Sequence, residues 1–197
     1  MKLVIASGNA KKRSEIERIT CRLGIDIVPL EQTIFVEVVE DGRTFSENAA
    51  KKARAFAKAN NCAALADDSG LCVEALGGAP GVMSARYAGD GASDEANILK
   101  LLEAMKGIRQ RRACFYCHMF LALPNGEPLT EASGKVCGEI LETPKGRDGF
   151  GYDPVFYCPE LGKTFAEATP EEKDRLSHRG KALRALSVKL ARLVPHS

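Results

Sequence analysis

The sequence predicts an α/β fold of mixed (α+β) character. The expected architecture is an elongated, twisted mixed sheet flanked by helices, in two lobes with a central substrate cleft. Three observations carry this. Short apolar runs alternate with segments of helical period from the N-terminus onward. Asn125-Gly126 stands between two long extended runs, a strong hairpin signal. No internal repeat or low-complexity linker interrupts residues 1–197, so one domain made of two lobes is expected.

Each element has a local reason. Lys2–Ser7 reads as a short apolar strand broken by Gly8-Asn9. A helix follows from about Lys11 to Leu23, with Ile16, Ile19 and Leu23 at helical spacing and Gly24 as its stop. Asp26–Leu30 reads as a second strand. Thr44 and Glu47 form a capping box that opens an Ala-rich helix running to about Asn60. Ala63–Ala66 is a strand leading into Asp67-Asp68, and Leu71–Leu76 is extended or turns into the loop Gly77-Gly78-Ala79-Pro80-Gly81. Ser93 or Asp94 caps a helix carrying Ile98, Leu101, Leu102 and Met105. Ala113–Leu123 and the segment from Leu129 to about Ile140 are the arms of the hairpin. Gly146–Phe156 is a glycine-rich loop entering an aromatic strand. Pro170 and Glu172 follow Thr169 as a helix start, and a last helix spans about Gly180 to Leu193.

Composition excludes several classes. Apolar content of 45% with 27% charged residues is that of an ordinary globular chain. Lys and Arg number 28 against 26 Asp and Glu, a net charge of +2, so no global field points to nucleic acid or a membrane surface. The start, Met1-Lys2-Leu3-Val4-Ile5-Ala6-Ser7, turns polar too soon for a signal peptide, and no apolar run nears the roughly 20 residues that span a bilayer. A cytoplasmic location follows as an expectation. The seven cysteines, irregularly spaced, are then expected to be reduced thiols, several of them buried. Cys114-Phe115-Tyr116-Cys117-His118 matches a haem-attachment string, but residues three apart on a strand face opposite ways, which favours core packing.

Four segments carry chemistry. Ser7-Gly8-Asn9-Ala10-Lys11-Lys12 runs from strand to helix N-terminus, where backbone N–H groups and the helix dipole favour an anion. The same pattern also describes an ordinary strand-to-helix turn. Asp67 and Asp68 repel each other, and a bound Mg2+ would relieve this, with Glu40 as a further oxygen donor; a turn or cap is the alternative. Strand alternation allows one of the pair to meet metal while the other orients a partner. In Gly146-Arg147-Asp148-Gly149-Phe150-Gly151-Tyr152-Asp153-Pro154, glycines permit close approach, Phe150 or Tyr152 can stack on a flat base, and Asp153 can accept from a base edge. A tight loop with core aromatics is the competing description. Lys173 and Ser177-His178-Arg179-Gly180 offer donors for a carbonyl-bearing ring or a phosphate, or simply a helix cap with surface charges.

The joint order of these segments resembles the inosine triphosphate pyrophosphatase family, whose members hydrolyse non-standard purine nucleoside triphosphates. The resemblance rests on Ser7-Gly8-Asn9, Lys12 and Glu15; on Phe45, Glu47-Asn48-Ala49 and Lys52-Ala53; and on Ala66-Asp67-Asp68-Ser69-Gly70-Leu71. It continues through Leu76-Gly77-Gly78, Pro80-Gly81-Val82, Ser84-Ala85-Arg86-Tyr87, Phe150-Gly151-Tyr152-Asp153-Pro154 and Ser177-His178-Arg179, covering residue 3 to about 190.

It implies that Ser7, Gly8, Asn9, Ala10, Lys11 and Lys12 hold the triphosphate, with Lys52 adding charge. Glu40 and Asp68 would bind Mg2+, and Asp68 would also accept the proton of the attacking water. Ser69 would touch substrate. Phe150, Gly151, Tyr152, Asp153, Lys173, His178 and Arg179 would enclose the purine and read its 6-oxo group. A homodimer is implied as well, with no nucleic-acid or membrane partner. One departure is visible: Asp148 stands where the family usually has glycine. Pyrophosphatases for other nucleotides, a non-catalytic nucleotide-binding module and a haem protein are the competing classes.

Overall fold

Apolar β-prone runs and capped helices alternate along the chain as the sequence predicts, and the computed structural model describes residues 2–22 and 25–193. Strand β1 (Lys2–Ile5) is followed by helix α1 (Ala10–Arg22) and the two-residue strand β2 (Asp26–Ile27). Helix α2 spans Phe45–Asn60 and leads to β3 (Ala63–Val73). Helix α3 (Asp94–Ala104) precedes the long strands β4 (Arg112–Ala122) and β5 (Pro128–Ile140). Short strands β6 (Phe156–Cys158) and β7 (Lys163–Thr164) and helices α4 (Pro170–Leu176) and α5 (His178–Leu193) complete it. The strand order is β2-β1-β3-β4-β5-β6-β7. β1 pairs in parallel with β2 and β3, whereas β6 is antiparallel to both β5 and β7, so the sheet is mixed.

Two compact units share these elements. The first holds residues up to Asp68, Cys117–Gly134 and the chain from Arg179 on; the second holds Ser69–Tyr116 and Lys135–His178. In the first, Ile16 and Ile19 of α1 and Leu183, Leu186 and Leu190 of α5 pack with Leu3, Ile5, Leu65, Met119 and Leu121. A separate cluster sets Ala49, Ala53, Phe56 and Ala57 of α2 against Val4, Ala6, Ala64, Ala66 and Phe120. Small side chains on both partners let α2 lie close to its strands, which brings polar side chains of α2 near β3. In the second unit, Ile98 and Leu101 of α3 and Met105 just after it join Leu71, Val73, Phe115, Val136, Phe156 and Phe165.

Several expectations are corrected. Strand β3 does not end at Ala66 but runs through Asp67-Asp68 to Val73, because both carboxylates have partners that let them stay in a buried strand. The strand expected over 26–30 is only Asp26–Ile27; the chain then turns through a 3-10 segment at Leu30–Gln32 after Pro29, which has no N–H to extend a ladder. The last helix begins at His178 rather than Gly180, directly after Ser177, whose extended backbone ends α4. The expected end of α1 at Leu23-Gly24 lies outside the described residues. Not all cysteines are thiols: Cys114 and Cys137 face each other on neighbouring strands, Cα atoms 4.0 Å apart, and are joined as a disulfide. Cys117 instead lies in the core of the first unit.

Candidate active site

The first unit gathers the residues that the sequence offers for anion and cation binding. Asn9 caps α1: its Oδ1 accepts the N–H groups of Lys11 and Lys12, each at 3.0 Å. Two amides expected to face an anion therefore turn to Asn9 instead. The attraction left to the loop is the helix dipole and the lysine charge. A cleft of about 180 Å³ lies against Ser7, Gly8, Lys12, Phe35, Glu40 and Lys52. Loop, lysines and one candidate ligand thus line a single space.

Strand alternation sends the two aspartates to different partners. Asp67 is 1% exposed and accepts from Arg179 Nε at 3.3 Å and Nη2 at 3.0 Å; Lys12 Nζ lies 3.4 Å away. Arg179, also 1% exposed, gives Nη1 to Glu15 at 2.5 Å. Burial alone would raise the Asp67 pKa, but Lys12, Arg179 and Lys52 together hold it well below the usual carboxylate range. Asp67 is therefore a permanent anion that aims Lys12 and fixes Arg179.

Asp68 lies in a different field. Its Oδ2 accepts from Asn48 Nδ2 at 3.0 Å, and Lys52 Nζ stands 3.9 Å from its Oδ1. Burial pushes its pKa up to about 6, against the pull of Lys52, Lys12 and the Asn48 hydrogen bond; the Glu40 charge adds to the rise. Lys52 Nζ also lies 3.2 Å from Glu40 Oε2. One ammonium is thus shared by Glu40 and Asp68, so both carboxylates converge on a single cation position. No group of three or more His, Cys, Asp or Glu side chains is placed to hold a metal among the described residues. Two carboxylates are the donor set that suits Mg2+, which keeps waters and takes substrate phosphate oxygens for the rest.

The second unit gathers the flat and hydrogen-bonding groups. His178 stacks on Phe115, ring centroids 4.7 Å apart and planes at 11°, within the aromatic cluster of Phe156 and Phe165. Lys173 Nζ sits 4.5 Å from the Phe150 ring centroid and donates to Asp153 Oδ2 at 2.6 Å. The same Oδ2 accepts the Phe150 N–H at 2.9 Å. Asp153, read from the sequence as a base-edge acceptor, therefore also closes the loop on itself. Gly149 permits this closure: at φ +76°, a Cβ there would lie 2.2 Å from Asp153 Oδ2. Two outside anchors hold the loop, Gly151 N–H to Asp94 Oδ2 at 2.8 Å and Tyr152 OH to the Ser84 carbonyl at 2.9 Å.

The predicted residues thus fall into two sets. Ser7 to Lys12, Glu40, Lys52, Asp68 and Arg179 lie in the first unit; Ser69, Phe150 to Asp153, Lys173 and His178 lie in the second. Sequence reasoning gave no role to Glu15, Asn48, Asp94 or Phe115, all of which hold one of these residues. Two had a local signal: Asn48 as a polar residue one position past the capping-box Glu47, and Asp94 at a helix start.

Comparison with known proteins shows the family. A protein of Nitrosomonas europaea named dITP/XTP pyrophosphatase is 51% identical over 188 residues, covering 94% of this chain and 92% of its own. The solved Ham1 protein of Coxiella burnetii superposes with a TM-score of 0.87 at 43% identity, covering 98% of this chain and 99% of its own. The Ham1 protein of Staphylococcus aureus gives 0.86 at 42%, covering 98% and 100%. The model of the Ham1 family matches residues 3–189. The chain belongs to the Ham1 family.

Proposed function

We propose that this protein is a nucleoside triphosphate pyrophosphatase that hydrolyses non-standard purine nucleotides, dITP, ITP and XTP, to the monophosphate and pyrophosphate. Deaminated purines would thereby leave the nucleotide pool. The observation that carries the reading is the pair Glu40 and Asp68 converging on one cation position beside the lysine-bearing loop. Its relatives' name supports the substrate class.

Glu40 and Asp68 would hold Mg2+, which when bound supplies charge neutralisation along the phosphates. Lys12, aimed by Asp67, and Lys52 attract the triphosphate and stabilise the charge that develops as pyrophosphate leaves. Water attacks the α-phosphorus, the bond to the bridging oxygen of pyrophosphate breaks, and Asp68 takes the water's proton. Burial lifts this carboxyl to about 6 before any cation binds, and a bound cation favours its ionised, proton-accepting form. In the second unit, Phe150 offers a ring face and His178 a fixed imidazole edge. His178 and Arg179 direct N–H donors at the 6-carbonyl of hypoxanthine or xanthine, with Arg179 braced by Asp67 and Glu15. The 6-amino group of adenine would leave such donors without acceptors, at about 1–3 kcal/mol each. Ser69 contacts the substrate in the same reading.

Hydrolysis in 18O-labelled water tests the point of attack: label is expected in the monophosphate alone, and label in pyrophosphate contradicts it. Gly149→Ala tests the base loop. Its Cβ must displace the Asp153 carboxylate, so KM for dITP is expected to rise about tenfold or more with kcat less affected.

A homodimer and a cytoplasmic location belong to the same proposal. Sedimentation at micromolar concentration is expected to give about twice the 21.2 kDa chain mass. No helix among the described residues is long and apolar enough to cross a membrane. Cell fractionation is expected to recover the protein with cytoplasmic marker enzymes; recovery in a membrane or exported fraction contradicts the location.

A further inference from the structure

We infer that Asn48 is the positioning residue that sets the separation of Glu40 and Asp68, an inference that rests on these two carboxylates forming the cation site. Asn48 is 1% exposed and lies in the first turn of α2. Its side-chain amide faces two ways. Nδ2 donates to Asp68 Oδ2 at 3.0 Å, and Oδ1 accepts the backbone N–H of Gly42 at 2.8 Å. Only one orientation of the amide serves both: the carboxylate needs a donor and the N–H needs an acceptor. Gly42 stands two residues after Glu40, so one side chain ties the backbone beside one ligand to the carboxylate of the other.

The approach is close enough to dictate the residue at 42. A Cβ on Gly42 would lie 2.5 Å from Asn48 Oδ1 and 2.9 Å from Glu47 Cβ. The turn before α2 is fixed in the same place, because Glu47 accepts the Arg43 and Thr44 N–H groups while Thr44 Oγ1 accepts from Glu47. At the other end of the helix, Asn60 takes the Ile34 N–H at 2.7 Å and returns a donor to the Ile34 carbonyl at 2.9 Å. Residues 35–41, which carry Glu40, are therefore strung between two asparagines of one helix. Lys52, one turn beyond Asn48, reaches both carboxylates from that helix as well. Asp in place of Asn48 would lack the donor that Asp68 requires.

Mn2+ binding to the nucleotide-free protein, read by electron paramagnetic resonance, tests this together with hydrogen exchange of the 35–42 segment without metal. Asn48→Leu keeps the branched outline of the side chain and removes both hydrogen bonds. Gly42→Ala leaves Asn48 in the chain but forces it off the turn, and serves if the first variant does not fold. Each is expected to weaken Mn2+ binding by about 10–100-fold, the usual effect of losing a group that orients a ligand, and to speed exchange in residues 35–42 while the rest of α2 stays protected. A lowered melting temperature with Mn2+ affinity and exchange unchanged overturns the inference. If the wild type takes up no Mn2+, the cation site itself is refuted; exchange then decides Asn48 alone, and unchanged exchange overturns its role.

Discussion

Asp68→Asn is expected to lower dITP hydrolysis by at least about 10³-fold and, at the same time, to stabilise the metal-free protein. The loss follows from removing the proton acceptor and one of two cation ligands. The gain follows from the pKa. Burial outweighs Lys52, Lys12 and the Asn48 hydrogen bond and lifts Asp68 to about 6 from an ordinary 3.8. Between those values the folded protein holds a proton that the unfolded chain has released, so stability falls as pH rises from 4 through 6. Above pH 6 the folded state carries a charged Asp68 that costs about 3 kcal/mol relative to the neutral form. Asparagine resembles that neutral form. The variant is expected to melt about 6–12 °C above the wild type at pH 7.5 without metal. Mg2+ is expected to stabilise the wild type and not the variant. Below pH 6 protons compete with Mg2+ for Asp68, so the Mg2+ concentration needed for half-maximal activity is expected to rise.

Arg179→Ala is expected to act in the opposite sense, destabilising the fold by about 3–5 kcal/mol. Arg179 fills a site 1% exposed and bridges Glu15 and Asp67. Its loss strands two carboxylates in the interior, and Glu15 and Asp67 lie 164 and 112 residues before it in the chain, so the bridge ties α5 to α1 and β3. Arg179→Lys keeps the charge but lacks the fork that serves both carboxylates, so an intermediate effect is expected. The pH dependence also has a definite sign. Asp67 is held well below the usual range, so its contribution is complete above about pH 4 and is lost as pH falls further. Acid unfolding of the wild type is expected to be steeper in this range than that of Arg179→Ala, read by urea midpoints from pH 2 to 6.

Local patterns on the chain told much of this in advance. Capping boxes at Thr44 and Thr169 place α2 and α4 to within a residue, and Asn125-Gly126 locates the turn between β4 and β5. Alternation on a strand anticipates that Asp67 and Asp68 serve different partners. What local pattern could not tell is long-range satisfaction. The sequence alone suggests that two adjacent carboxylates end a strand, because nothing nearby offers them partners. Arg179 lies 112 residues from Asp67, and Asn48 lies 20 from Asp68. For the same reason the sequence shows Arg179 as a donor but not its bracing, in which three of its N–H contacts go to Asp67 and Glu15. The Cys114–Cys137 pair depends on strand register, which no spacing of cysteines encodes.

The most direct test of the central claim is kcat/KM for dITP, XTP, dATP, dGTP and dUTP with Mg2+, with pyrophosphate as the detected product. The account predicts that dITP and XTP exceed dATP by at least about 10²-fold, since adenine leaves one or two fixed donors without acceptors, and that pyrophosphate and monophosphate appear in equal amounts. Equal turnover of dATP and dITP, or release of orthophosphate in place of pyrophosphate, would contradict it.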